Sequence, residues 1–419
     1  MSNYIKSIKL KIKNNNSIIE NVKYIAALQG FNLLVPFLIY PYIIRIIGSE
    51  TYGLIIFIQS IISYFVTLIG FGFNITATKD VSFHRNNREK LNEIFSSILI
   101  LKGILFAVCI IAFVLYFFVS GQTIENPLLF CIMFYLCIYE WLFPFWYFQG
   151  IEKMKYITYI SIASRFLLLL LILVFVKTKD DYLFYPILSA LGCFLSIFIA
   201  FYIIIKKHRI YFILPSFQTL KYYFNNSTSI FASNFVLKIY TNSNKVIVGS
   251  LLGMENLAFY DLAEKFLNAL KIPISSLSQA IFPNLSFNFN QKLVKKLFKY
   301  SIITTLIMII VFIFLVKKII VIYAGQNMLG ATNASVILIL SLLPLTLSNV
   351  FGVQTLLTNG HNKAFLKSII ISVLFYILYV YLCFFFNHLN LITISYSMLF
   401  TEIVMLIIFY IYIKKYKLL

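Results

Sequence analysis

The stretch Phe166-Leu-Leu-Leu-Leu-Leu-Ile-Leu-Val-Phe-Val176 decides the fold class. A strand of a membrane β-barrel alternates apolar and polar residues over about 10 positions, and this run has no polar break. Extended back to Tyr156, it reaches the roughly 20 residues a helix needs to cross hydrocarbon about 30 Å thick. The same pattern recurs along the chain. It predicts spans at Val22 to Ile47, Gly53 to Ala77, Leu91 to Val119, Pro127 to Phe148, Tyr156 to Val176 and Tyr182 to Ile205. Six more follow at Ser227 to Leu252, Leu257 to Pro283, Leu297 to Tyr323, Ser335 to Leu357, Phe365 to Phe386 and Leu391 to Ile413. The composition agrees, with 61% hydrophobic residues, 12% charged residues and a mean hydropathy of +0.90 across 419 residues. A soluble domain carries nearer a quarter charged residues, so that class is excluded. The expectation is an all-α polytopic membrane protein of twelve transmembrane helices.

The net charge of +21 would suggest nucleic acid in a soluble protein. Here its distribution argues for orientation instead. Of the 35 Lys and Arg, 24 fall in seven alternate segments, among them Lys79 to Lys90, Lys206 to Lys221 and Lys292 to Lys299. The intervening loops and the span ends beside them hold only Arg45, Lys177, Lys179, Lys317 and Lys318. Basic loops stay cytoplasmic, so both termini are expected there. The first 23 residues are polar and Lys-rich, not an apolar signal-peptide core. Five scattered cysteines without a CxxC pair indicate neither a zinc site nor a disulfide framework. The four histidines read as solvated at loops and span ends. No GxxxxGK[ST] loop or long hydrophilic segment supplies a nucleotide site or a catalytic domain, so no cofactor or metal is expected.

Two short matches suggest an internal repeat. Ile46-Ile47-Gly48-Ser49-Glu50 resembles Leu251-Leu252-Gly253-Met254-Glu255 at an offset of 205 residues, and Gly150 with Lys153 resembles Gly360 with Lys363 at 210. The organisation expected is a six-helix lobe over 1–206, an amphipathic cytoplasmic connector over 207–226 and a second six-helix lobe over 227–419. Parallel repeats of this kind are related by a pseudo-two-fold along the membrane normal.

Ionisable groups in hydrocarbon cost at least about 2.5 kcal/mol each, so they face cavities or one another. With Lys23, Arg45, Glu93, Lys299, Lys317, Lys318 and Lys367 assigned to the loops they adjoin, ten lie within the spans: Lys102, Arg165, Lys238, Lys245, Lys265, Lys271, Glu140, Asp261, Glu264 and Glu402. Asn234, Lys238, Thr241 and Lys245 share one helical stripe beside Asn242, and Glu264, Asn268, Lys271 and Ser275 share another. One reading is a wet cationic cavity for an anionic headgroup, with Asp261, Glu264 and Glu140 available to couple a proton or cation. The other is internal ion pairs, Asp261 with Lys265 and Glu264 with Lys271, that only join helices. Lys102 and Arg165 either snorkel or line the cavity. Glu402 reads as interfacial.

Arg45 to Gly53 with Gly70-Phe71-Gly72, and Pro144-Phe-Trp-Tyr-Phe-Gln-Gly-Ile-Glu-Lys-Met154, resemble polysaccharide and O-antigen unit flippases of the Wzx type, in the multidrug/oligosaccharidyl-lipid/polysaccharide exporter superfamily. The resemblance implies translocation of undecaprenyl-pyrophosphate-linked oligosaccharide to the periplasmic face of a bacterial inner membrane, by alternating access around a cationic cavity between two lobes. It implies membrane lipids, the polysaccharide polymerase and a chain-length regulator as partners. Lys238 and Lys245 are then expected at the pyrophosphate, with Asn234, Asn242 and Asn268 near sugar hydroxyls. Two alternatives stand beside it. A drug or cation antiporter of the same superfamily would favour an acidic cavity, whereas intramembrane bases here outnumber acids six to four. A membrane polymerase would carry a sizeable periplasmic loop.

Overall fold

The computed structural model describes residues 24, 27, 28, 30, 31, 35–120, 126–287 and 289–418. The Lys-rich segment 1–23, and with it the expectation about a signal peptide, lies outside them. The described chain is helical throughout, without a strand. In order, the helices are α1 Val35–Ile47, α2 Ser49–Gly70, α3 Phe73–His84, α4 Arg88–Ser120, α5 Pro127–Met133, α6 Tyr135–Leu142, α7 Phe145–Gly150, α8 Met154–Phe175 and α9 Phe184–Tyr202. There follow α10 Phe217–Leu252, α11 Met254–Phe287, α12 Gln291–Ala324, α13 Ala331–Leu340, α14 Leu342–Ser348, α15 Asn362–Phe385 and α16 Leu391–Lys415. Among the described residues nine helical stretches are long and apolar enough to cross a membrane, and α1 is a shorter apolar helix. This is a multi-pass membrane protein. The stretches α10 and α11 fall outside the nine because of their polarity, not their length, at 36 and 34 residues.

Several of the expected spans are broken. The second bends between α2 and α3 at Gly72, whose φ of 77° is left-handed. A Cβ there would lie 2.8 Å from Ile230, so both conformation and space require glycine. The fourth span becomes α5, α6 and α7. Phe143 takes φ −78° and ψ 113°, the extended backbone that Pro144 imposes on the residue before it. The tenth becomes α13, α14 and a π-helical run Asn349–Leu357. The seventh starts ten residues earlier than expected, because α10 already begins at Phe217 within the connector. The chain before it is irregular, with Tyr211 N–H donating to Asn92 and Ile213 N–H to Ser96.

Contacts divide the described chain into two compact units, one from 1–47 and 58–241, the other from 48–57 and 242–419. In the first, Phe71, Phe73, Ala77 and Val81 pack with Ile94, Ile98, Trp146 and Phe148 around α3, α4 and α7. Phe71 stacks between Phe224 and Phe231 at centroid distances of 4.6 and 4.5 Å. In the second, Leu285, Val294, Val350, Phe351 and Phe409 form a core around α12, α16 and the π-helical run. The matched glycines Gly48 and Gly253 share one geometry: both are left-handed, at φ 83° and 93°, and each is followed by a helix with glutamate in its first turn.

Candidate functional site

Each unit holds a cluster of charges. In the first, Lys102 of α4 is 1% exposed and donates to Glu140 Oε1 at 2.7 Å and to the Glu140 carbonyl at 2.9 Å. Asn74 of α3 donates to the same carboxylate at 3.4 Å. A cavity of about 210 Å³ opens beside this pair, lined by Asn74, Tyr139, Glu140, Ser161 and Arg165 among others. The structure thus gathers three of the expected residues, Lys102, Glu140 and Arg165.

The cluster in the second unit is larger. Lys245 of α10 bridges two carboxylates of α11, reaching Asp261 Oδ1 at 2.9 Å and Glu264 Oε2 at 2.6 Å. Asp261 is almost wholly buried, and its other oxygen accepts from Lys265 at 2.6 Å and from the Tyr52 hydroxyl at 2.6 Å. Lys265 also contacts the Tyr52 hydroxyl and lies 4.8 Å from the centre of its ring. Two lysines and two carboxylates balance, so the desolvation cost of each charge is offset by its neighbours. Beside Lys245, buried Asn244 donates to Tyr260 and Ser397 and accepts from Tyr376 at 2.7 Å.

Spacing on α11 explains which pairs form. Asp261 and Lys265 are four residues apart and meet, whereas Glu264 and Lys271 are two turns apart, about 10 Å along a helix. Glu264 pairs with Lys245 instead, and Lys271 has no ion pair among the described residues. Asn268 and Asn234 are exposed, Asn242 is buried, and Lys238 is half-buried two turns before Lys245 on α10. Glu402 is 4% exposed near the middle of α16, so it is not interfacial.

Residues 18–289 match the family described as polysaccharide biosynthesis protein. The chain belongs to that family. A relative from Escherichia coli (strain K12), named for O-antigen transport, is 27% identical over 378 residues, covering 88% of this chain and 90% of its own. The fold resembles the lipid II flippase MurJ in an inward closed conformation, with a TM-score of 0.75 at 14% identity over 94% of this chain and 87% of that one. It also resembles an inward-facing multidrug resistance MATE family transporter of the MOP superfamily, with a TM-score of 0.66 at 15% identity over 91% and 97%.

Within this family fold, sequence reasoning missed Tyr52, Asn244, Tyr260, Tyr376 and Ser397. Asn244 left a signal as a third amide near Lys245 on a helix meant for hydrocarbon, and Tyr52 lies within the Arg45 to Gly53 stretch that carries the family resemblance. Tyr260 and Tyr376 are indistinguishable in sequence from the many other tyrosines.

Proposed function

We propose that the protein is a flippase carrying undecaprenyl-pyrophosphate-linked oligosaccharide units from the cytoplasmic to the periplasmic face of a bacterial inner membrane by alternating access. It does no covalent chemistry. Twelve crossings, counting α10 and α11, leave both termini cytoplasmic, with lobes over 1–206 and 227–419 joined by the connector 207–226. The observation that carries the reading is the Lys245 cluster: four balanced charges on two long polar helices, in a chain of a polysaccharide biosynthesis family.

A pyrophosphate with sugars cannot enter hydrocarbon alone, because desolvating the ion costs many kcal/mol. Lys238 and Lys245 replace its hydration, and Asn234, Asn242 and Asn268 meet sugar hydroxyls. Lys265, Lys271, Lys102 and Arg165 add positive potential. Lys245 is held by Asp261 and Glu264, so pyrophosphate must compete with them for its ammonium. A proton or cation on Glu264 or Asp261 weakens that hold and favours the anion, which couples the two. Glu140 plays the corresponding part opposite Lys102. The cationic excess within the spans favours this anionic cargo over the cationic cargo of an antiporter.

Lys238→Ala and Lys245→Ala test the assignment in the native host at matched expression. At least a tenfold loss of surface polysaccharide is expected from each, and full polysaccharide in both overturns it. Transport in vesicles should slow when the proton gradient is dissipated; an unchanged rate would remove the proton role of Asp261 and Glu264.

A further inference from the structure

The sequence Pro144 to Met154 has a structural product that the transport reading does not use. Its Tyr147, Ile151 and Lys153 line a cavity of about 330 Å³ together with Arg85, Asn86 and Arg88 after α3, and Lys207, His208 and Ile210 after α9. That volume is at the small end of the range of ligand pockets, about 300–1,000 Å³. Three chain connections, each at the end of an apolar span, converge here. Four bases face the cavity, and the neighbouring acid, Glu152, is bonded to Arg85 at 3.0 Å. Lys207 also lies 5.2 Å from the centre of the Tyr156 ring, with Lys155 at 5.7 Å on the same ring. Both Glu152 and Arg209 hold left-handed backbone, at φ 57° and 54°. Each belongs to the left-handed cap that ends a helix, with Lys153 N–H donating to the Phe148 carbonyl and Ile210 N–H to the Ile204 carbonyl.

His208 was expected to be solvated. It is half-buried instead, with Nδ1 3.2 Å from the Tyr147 hydroxyl and Nε2 buried without a hydrogen-bond partner. Burial, reinforced by Lys153 and Lys207, pushes its pKa down to about 4, so the ring is neutral and adds no charge to the site.

We infer that this cavity is a binding site for the phosphate of a lipid headgroup at the membrane surface. Basic pockets at span ends hold such headgroups, because the phosphate meets several cations while its acyl chains remain in the bilayer. The inference rests on the cavity alone and stands apart from the identity of the transported unit.

The test is native mass spectrometry of the full chain in uncharged detergent, with phosphatidylglycerol, undecaprenyl pyrophosphate and phosphatidylcholine as probes. The double variant Arg88→Gln/Lys207→Gln is expected to retain at least tenfold less anionic lipid, and Arg88→Lys/Lys207→Arg to retain it as the parent does. Preference for phosphatidylglycerol identifies a bulk phospholipid, and preference for undecaprenyl pyrophosphate identifies the polyprenyl lipid. Histidine NMR, assigned with His208→Asn, should register a rise in the His208 pKa when either lipid binds. Equal lipid retention in the parent and the Gln variant would overturn the inference. So would binding of inorganic pyrophosphate without either lipid.

Discussion

The first unit neutralises Lys102 with one carboxylate, whereas the second spreads Lys245 and Lys265 over two carboxylates and a tyrosine. The first pair leaves Glu140 only the longer Asn74 hydrogen bond when Lys102 is lost. A network can redistribute, since Asp261 keeps Lys265 and Tyr52 if Lys245 leaves. The first arrangement suits a fixed anchor beside a cavity. The second suits a site whose lysine must change partners during a cycle.

This contrast orders the effects of substitution, read as thermal or denaturant unfolding in detergent. Lys102→Met leaves the Glu140 carboxylate with only the Asn74 amide and should cost roughly 3 kcal/mol, with much of the cost recovered in Lys102→Met/Glu140→Leu. Lys245→Met should cost about 2 kcal/mol, since Glu264 alone loses its cation. If it cost as much as Lys102→Met, the redundancy of the network would be disproved. Tyr52→Phe removes a hydrogen bond to a charged group and should cost about 1.5 kcal/mol while leaving both lysines paired. Lys271→Ala, with no ion pair to lose, should stay within about 0.5 kcal/mol yet still reduce transport if Lys271 adds to the cationic field. Cysteine labelling at Gln326 from outside, and at Asn86 and Asn290 from inside, completes the set; reversed labelling would invert the orientation.

The helical membrane fold was legible because apolar runs such as Phe166 to Val176 admit one answer in hydrocarbon. The broken spans were legible only in part. The break before Pro144 has a local cause, the restriction a proline puts on the residue before it, whereas the need for glycine at Gly72 is set in part by the close approach of Ile230, a tertiary contact. At the charge clusters, Asp261 with Lys265 could be read from helical spacing. The partners of Lys245, Asp261 and Glu264, could not, because they lie on the following helix. Burial misled at both extremes. Glu402 and His208 looked accessible from their neighbours in sequence, yet Glu402 is buried and His208 packs against Tyr147 and Phe148, far earlier in the chain.

The central claim is the direction and chemistry of transport, and deleting the gene in its host tests it most directly. Surface polysaccharide is compared with lipid-linked units assayed separately on the two faces of the membrane. Loss of polymer with single units trapped on the cytoplasmic face is the predicted result. Single units already outside but unpolymerised would contradict it and point to a polymerase, and unchanged polysaccharide would contradict it in favour of another cargo.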